Sequence, residues 1–255
     1  VIFEGDRLES LFDDVPNQWS GIHFVAGSRN NIIDYAKIRN ANIGIRIDSV
    51  VAFNSPTLTI SNTIIENMYY AGIWGLQSTI LAYNCVISDC GYNAISFPIG
   101  GIYEFYHCTI SNDESYSTRT TPSIWLNNYY VYEGIPQLRP LQKAYFGNCI
   151  IYGSGLNEIG FDETFNDALN FTFENCLVKI ADSINTNDTA RFRNILKNMN
   201  PNFLNERENE YELDTLSPAK DKGLLELATY FNLDFNQNSR ISDEGPDLGA
   251  YERIE

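Results

Sequence analysis

The sequence predicts an all-β protein: a single-stranded right-handed parallel β-helix solenoid of about six to seven coils with a C-terminal capping segment. Three observations predict it. An eight-residue motif recurs along the chain, a shorter second motif follows most copies, and one position in each copy carries a residue that tolerates a left-handed backbone.

Five segments superpose without gaps: Ile60-Ser-Asn-Thr-Ile-Ile-Glu-Asn67, Ala82-Tyr-Asn-Cys-Val-Ile-Ser-Asp89, Phe105-Tyr-His-Cys-Thr-Ile-Ser-Asn112, Phe146-Gly-Asn-Cys-Ile-Ile-Tyr-Gly153 and Phe173-Glu-Asn-Cys-Leu-Val-Lys-Ile180. Ile33 to Asn40 is a weaker sixth copy. The aliphatic column Ile38, Ile65, Ile87, Ile110, Ile151, Val178 advances in steps of 27, 22, 23, 41 and 27 residues. The second motif reads Gly21-Ile-His-Phe24, Gly44-Ile-Arg-Ile47, Gly72-Ile-Trp-Gly75, Ala94-Ile-Ser-Phe97, Ser123-Ile-Trp-Leu126 and Glu158-Ile-Gly-Phe161. A propeller blade needs about 40 residues, and a helical repeat needs about 34 with helical spacing. The leucine-rich frame is missing too, which leaves short β-prone runs separated by Asn, Gly, Asp and Ser.

Parity within the motif places a corner. Tyr103, Phe105 and His107 share one alternation, Cys108 and Ile110 the opposite one, so both rows face one core only if the chain turns between them. The corner column is Tyr35, Asn62, Asn84, His107, Asn148, Asn175. Asn tolerates the left-handed region, and amides stacked about 4.8 Å apart can hydrogen-bond along a ladder. Beside it runs a small inward column, Ala36, Thr63, Cys85, Cys108, Cys149, Cys176. These thiols are expected to be core filler and, with Cys90, free, because parallel Cβ vectors suit a disulfide poorly.

The composition, 44% hydrophobic and 20% charged over 255 residues, supports a sizeable core. A formal charge of −16 disfavours nucleic acid and anionic membrane surfaces, and it repels an acidic polysaccharide unless basic residues or a divalent cation intervene. No apolar stretch approaches the roughly 18 residues of a membrane span. The five cysteines show neither CxxC pairs nor zinc spacing, so no metal or cofactor is expected; calcium is compatible with the chain but no motif indicates it.

With these coils in hand, residues 1 to 180 resemble the pectate-lyase-like superfamily of right-handed parallel β-helices. Leu216-Ser-Pro-Ala-Lys-Asp-Lys-Gly223, then Asp234, Arg240 and Pro246-Asp-Leu-Gly-Ala-Tyr-Glu252, are similar to the closing segment of bacterial surface β-helix proteins, many labelled choice-of-anchor. That pattern has Ile where Lys220 and Leu248 stand. The resemblance implies an exported bacterial protein, secreted, periplasmic or at the cell surface, and it implies no single reaction, because the superfamily spans lyases, hydrolases, epimerases, adhesins and inactive modules.

The chain accordingly divides into coils over 1–180, with a loop excursion at 113–142, and a cap or tail over 181–255 packed on the solenoid. Asp188 to Asn198 and Leu224 to Phe231 are expected to be helical, Glu206 to Asp214 to be solvated, and Asp234, Asp243 and Asp247 to cap turns. The start at Val1-Ile2-Phe3 already reads as a core strand, which points to earlier coils or a cap upstream.

Long loops on rigid scaffolds often carry function. The excursion holds Trp125, Tyr129, Tyr130 and Tyr132 near Asn127 and Asn128, and Trp74, Tyr69 and Tyr70 lie one or two coils earlier. Aromatic faces with amides suit sugar rings. Glu66 and Asp89 are candidate acids aligned on one face, chosen by position alone alongside Asp34 and Asp48, while Lys37, Arg39 and Arg46 are the basic group of the early coils. His23 is expected to face solvent and His107 to serve the corner. The functional expectation is a monomeric β-helix protein associated with polysaccharide, by binding or processing; the alternative is a non-catalytic adhesin or structural surface module. Whether it is an enzyme stays open at this point.

Overall fold

Short runs of Ile, Val, Thr and aromatic residues with alternating parity favour extended backbone. In the computed structural model, which describes residues 1–7, 9–48, 55–112, 119–162, 164–165 and 168–254, they wind a right-handed parallel β-helix. The eight-stranded sheet runs Ile2–Phe3, Lys37–Arg39, Ile64–Met68, Val86–Cys90, Thr109–Asn112, Ile150–Gly153, Leu177–Val178, Leu196–Lys197. Every neighbouring pair is parallel, and the register stacks Ile38, Ile65, Ile87, Ile110, Ile151 and Val178 one above another. In the 11-stranded sheet the second motif stacks likewise, as Ile22, Ile45, Ile73, Ile95, Ile124 and Ile159. Before the corner come Ile60, Ala82, Phe105, Phe146, Phe173 and Phe192. These three columns enclose one elongated core, in which Phe146 stacks between Phe105 and Phe173 at 5.1 and 4.8 Å.

The corner is left-handed at each level, with φ of 49° at Tyr35, 45° at Asn62, 51° at Asn84, 49° at His107, 55° at Asn148 and 47° at Asn175. Amide donors run along it from Asn84 to Asn62 at 3.1 Å and from Asn148 to His107 Nε2 at 3.1 Å. Asn62 donates instead to Asp34 at 2.8 Å, since Tyr35 offers no amide. Inside the corner, Cys85, Cys108, Cys149 and Cys176 each donate to the carbonyl two residues back at 3.3 Å. All five cysteines are free and buried. Burial pushes the Cys85 and Cys149 thiols well up, while at Cys108 burial is outweighed by hydrogen bonds with Cys149 and Cys85, which hold that thiol down; enclosed in the core, the column serves as packing.

The expected helix over 188–198 is not there. Phe192–Arg193 and Leu196–Lys197 add one more parallel winding, with Asn194 at the corner at φ 50°. Leu225–Tyr230 is helical. The following segment lies along the flank of the coils, because Val86, Ile150 and Leu177 project outward and need cover; Leu248, Ala250, Tyr251 and Tyr211 supply it. Burying Leu248, 1% exposed, contributes about 2 kcal/mol. The segment is tied to the corner residues: Asn148 bonds both N and O of Leu224 at 2.7 and 3.1 Å, Asn175 donates to Lys222 O at 3.0 Å, and Asn84 donates to Leu233 O at 2.8 Å. Fully buried Arg240 spans Asn84 Oδ1 at 3.1 Å and Glu252 at 3.2 Å. Asp234 accepts from Glu252 N at 2.7 Å and Asp247 from Asp221 N at 2.8 Å, so both carboxylates cap backbone.

Candidate functional site

The second motif alternates, so while its isoleucines point inward its other residues form one outward column. Register sets His23, Arg46, Trp74, Ser96, Trp125 and Gly160 on successive coils of that column. The outer face of this sheet is a trough made of three adjoining hollows. The middle one, about 660 Å³, is lined by Arg46, Tyr70, Trp74, Asn127, Tyr129 and Tyr130 among others. A hollow of about 290 Å³ shares Tyr70 and Trp74 and ends at Trp125. A third, about 510 Å³, shares Tyr130 and reaches Asp48 and Arg139.

Its walls are held by specific contacts. Tyr70 packs on Trp74 at 5.1 Å and stacks on Tyr92 at 4.9 Å and 7°. The excursion forms an antiparallel hairpin, Tyr129–Tyr132 with Ile135–Leu138. Tyr129 donates from its hydroxyl to Asp162 at 2.6 Å and meets Phe165 edge-on at 5.1 Å. The hydrogen bonds from Thr164 and Tyr129 hold the Asp162 carboxyl below the usual range. Arg139 lies over the Tyr130 ring at 5.0 Å and donates to its hydroxyl at 3.2 Å. Opposite, Glu158 is fully buried and collects Arg119 at 2.7 Å, Ser123 N at 3.0 Å and Ser123 Oγ at 2.6 Å. This pins Thr121 and Pro122, which line the smaller hollow.

Charge enters at one end. Asp48 binds His23 Nε2 at 2.7 Å and Arg46 Nε at 2.9 Å. Burial raises the Asp48 pKa, yet the hydrogen bonds from Arg46 and His23 outweigh it and hold the carboxyl below the usual range. Among the described residues lining the trough, Asp48 is the one carboxylate. No three His, Cys, Asp or Glu side chains converge as a metal site among the described residues.

The structure thus brings Tyr70, Trp74, Trp125, Tyr129 and Tyr130 to one face, with Asn127, Arg46 and Asp48 also lining it, and leaves Tyr69, Glu66 and Asp89 elsewhere. Tyr69, 53% exposed, follows its own direction out of the turn and lines none of the three hollows. Glu66 is buried on the other sheet against Lys37 at 2.7 Å. It registers with Ser88, so Asp89 is one position out of line and sits at a left-handed turn with φ 50°. Arg39 pairs with Glu4 at 2.6 Å and, like Lys37, belongs to that other sheet, so the early basic residues are two groups. Asn128 is fully buried and structural, whereas Asn127 reaches the trough. Asp48, Arg46, Arg139 and Tyr92 were not singled out for the trough; the outward position of the second motif was the available signal for Arg46. Of the excursion, residues 113–118 lie outside the described residues.

Comparison with solved structures gives two matching chains. The chain is similar to a pectate lyase. The likeness to the crystal structure of pectate lyase Pel9A has a TM-score of 0.45 at 13% identity, over 92% of this chain and 65% of that one. No family model matches, and no curated protein does. No helix is long and apolar enough to cross a membrane among the described residues.

Proposed function

We propose that the protein binds a carbohydrate chain in the trough. The observation that carries this reading is the gathering of Tyr70, Trp74, Trp125, Tyr129 and Tyr130 on one outward face with Asn127 among them. The electron-rich face of an aromatic ring attracts the C–H groups of a pyranose, and adjacent amides bond its hydroxyls. Such sites are concave, mostly apolar and furnished with few polar groups. The same chemistry favours binding over cleavage. A hydrolase needs two carboxylates about 5 to 10 Å apart across the bond, and the described lining offers Asp48 alone, already engaged by Arg46 and His23.

Export to a bacterial surface and action as a monomer complete the proposal, supported by the similarity of the segment from Leu216 to Glu252 to closing segments of surface β-helix proteins. The coils, which run on through the last winding at 192–197, then present the trough and the segment after them serves as their fastening. An adhesin role uses the same trough toward a glycan on another cell. The test is a glycan array followed by reducing-sugar and unsaturated-uronate assays on every glycan retained. Expected are retention without product and a loss of affinity on the order of tenfold for Trp74→Ala. An array with no retained glycan overturns the reading; released product moves the protein to the enzymes.

A further inference from the structure

The aromatic platforms are spaced as well as gathered. Trp74 and Trp125 occupy the same outward column with Ser96 between them. Neighbouring strands lie about 4.8 Å apart, so the two tryptophan positions are about 9.6 Å apart along the solenoid axis. Trp74 is held by Tyr70 at 5.1 Å. Trp125 leans the other way, across Gly160, where an added Cβ would lie 2.8 Å from Trp125 Cε3. The two indoles therefore stand apart as separate surfaces, and the small Ser96 leaves the hollow of about 290 Å³ between them. Ser96, only 2% exposed, forms part of the lining of that hollow.

Resting on the carbohydrate reading above, we infer that the trough selects neutral, ribbon-like β-1,4-linked glycans, bound along the solenoid axis with alternate sugars on Trp74 and Trp125. In an equatorially β-1,4-linked chain each sugar is turned over relative to its neighbour, so first and third rings present the same face. Two units of such a chain cover close to two strand spacings. The first and third rings then stack on the two tryptophans while the inverted middle ring turns its hydroxyls toward Ser96. An α-1,4-linked chain coils and does not return the same face at that interval. Charge does not favour uronates: the chain carries −16, the hollow between the tryptophans is lined by no cation among the described residues, Arg46 is already bound to Asp48 at 2.9 Å, and Arg139 lines a different hollow, over Tyr130 at 5.0 Å.

The test is calorimetric titration with cello-, manno- and chito-oligosaccharides of increasing length, against malto-oligosaccharides and oligogalacturonates. A disaccharide reaches one platform and a trisaccharide both, so affinity is expected to rise on the order of tenfold at the third sugar. That step is expected to vanish in Trp125→Ala and in Trp74→Ala, and to shrink in Gly160→Ala, which displaces the Trp125 ring. Circular dichroism and melting temperature verify that each variant is folded; if an alanine variant is not, Trp125→Phe, with its smaller ring, is expected to reduce the step. A preference for α-linked or uronate chains, or an affinity that rises with length without a step, overturns the inference and leaves glycan binding intact. Silence toward every glycan overturns both.

Discussion

Replacing His107 by Asn tests the corner column through its proton balance. His107 is fully buried, accepts from Asn148 at 3.1 Å and lies near the charge of Arg240. Burial first, and Arg240 second, hold its pKa well below 6.5. In the unfolded chain the imidazole takes up a proton near the ordinary value of about 6.5. Below that pH the unfolded state binds one more proton than the folded state, so stability falls as pH drops, until the folded imidazole itself titrates. The loss grows to about 2 kcal/mol between pH 7.5 and pH 5.0. Asn has no proton to gain, and it already occupies this corner at Asn62, Asn84, Asn148 and Asn175 with the same left-handed φ. Urea unfolding of both proteins across that range is therefore expected to show His107→Asn gaining about 2 kcal/mol on the parent as the solution is acidified, with the contributions of shared carboxylates cancelling. A difference that stays constant with pH, or a variant that fails to fold, refutes the assignment of His107 to the corner.

Glu158→Gln leaves the Arg119 guanidinium buried, its side chain 2% exposed, without its carboxylate. It is expected to cost about 3 to 5 kcal/mol by denaturant titration and to loosen the wall at Thr121 and Pro122. Asn148→Ala removes the side-chain bonds to Leu224 N and O and to His107 at a position with φ of 55°. A loss of about 2 to 4 kcal/mol is expected, with Asn148→Gly recovering the backbone share alone, measured by thermal unfolding.

The columns were legible because a solenoid repeats its chemistry at nearly fixed intervals. Asn at the corner, Cys beside it and Ile beyond it recur wherever the backbone makes the same bend, and register follows from the alignment. Trp74 and Trp125 were legible as candidates for the same reason. The last winding was not, since Ile195 replaces the cysteine and the interval falls to 19 residues between Val178 and Lys197. Glu66 and Asp89 illustrate how unforgiving the register is. They are 23 residues apart while the coil there advances by 22, from Ile65 to Ile87, and one residue is enough to turn a side chain to the other face. The placement of the tail had an unread signal too: Ile64, Val86, Ile150 and Leu177 are apolar on an outward row, the mark of strands covered on both faces. Arg46 and Asp48 looked like ordinary surface charges, because nothing in a linear pattern tells that a charge borders a hollow.

Coils that touch only their neighbours would peel from an end like beads leaving a string, each loss independent of distant ones. Here the segment that returns past Asn175, Asn148 and Asn84 lashes distant levels to one another, its main-chain carbonyls accepting from those side-chain amides. Fraying at the final coil must first strip that lashing from the middle of the rod. The coils that carry Trp74 and Trp125 lie between Asn62 and Asn148, so the same fastening that holds the far end also grips the stretch of rod that sets those two indoles apart.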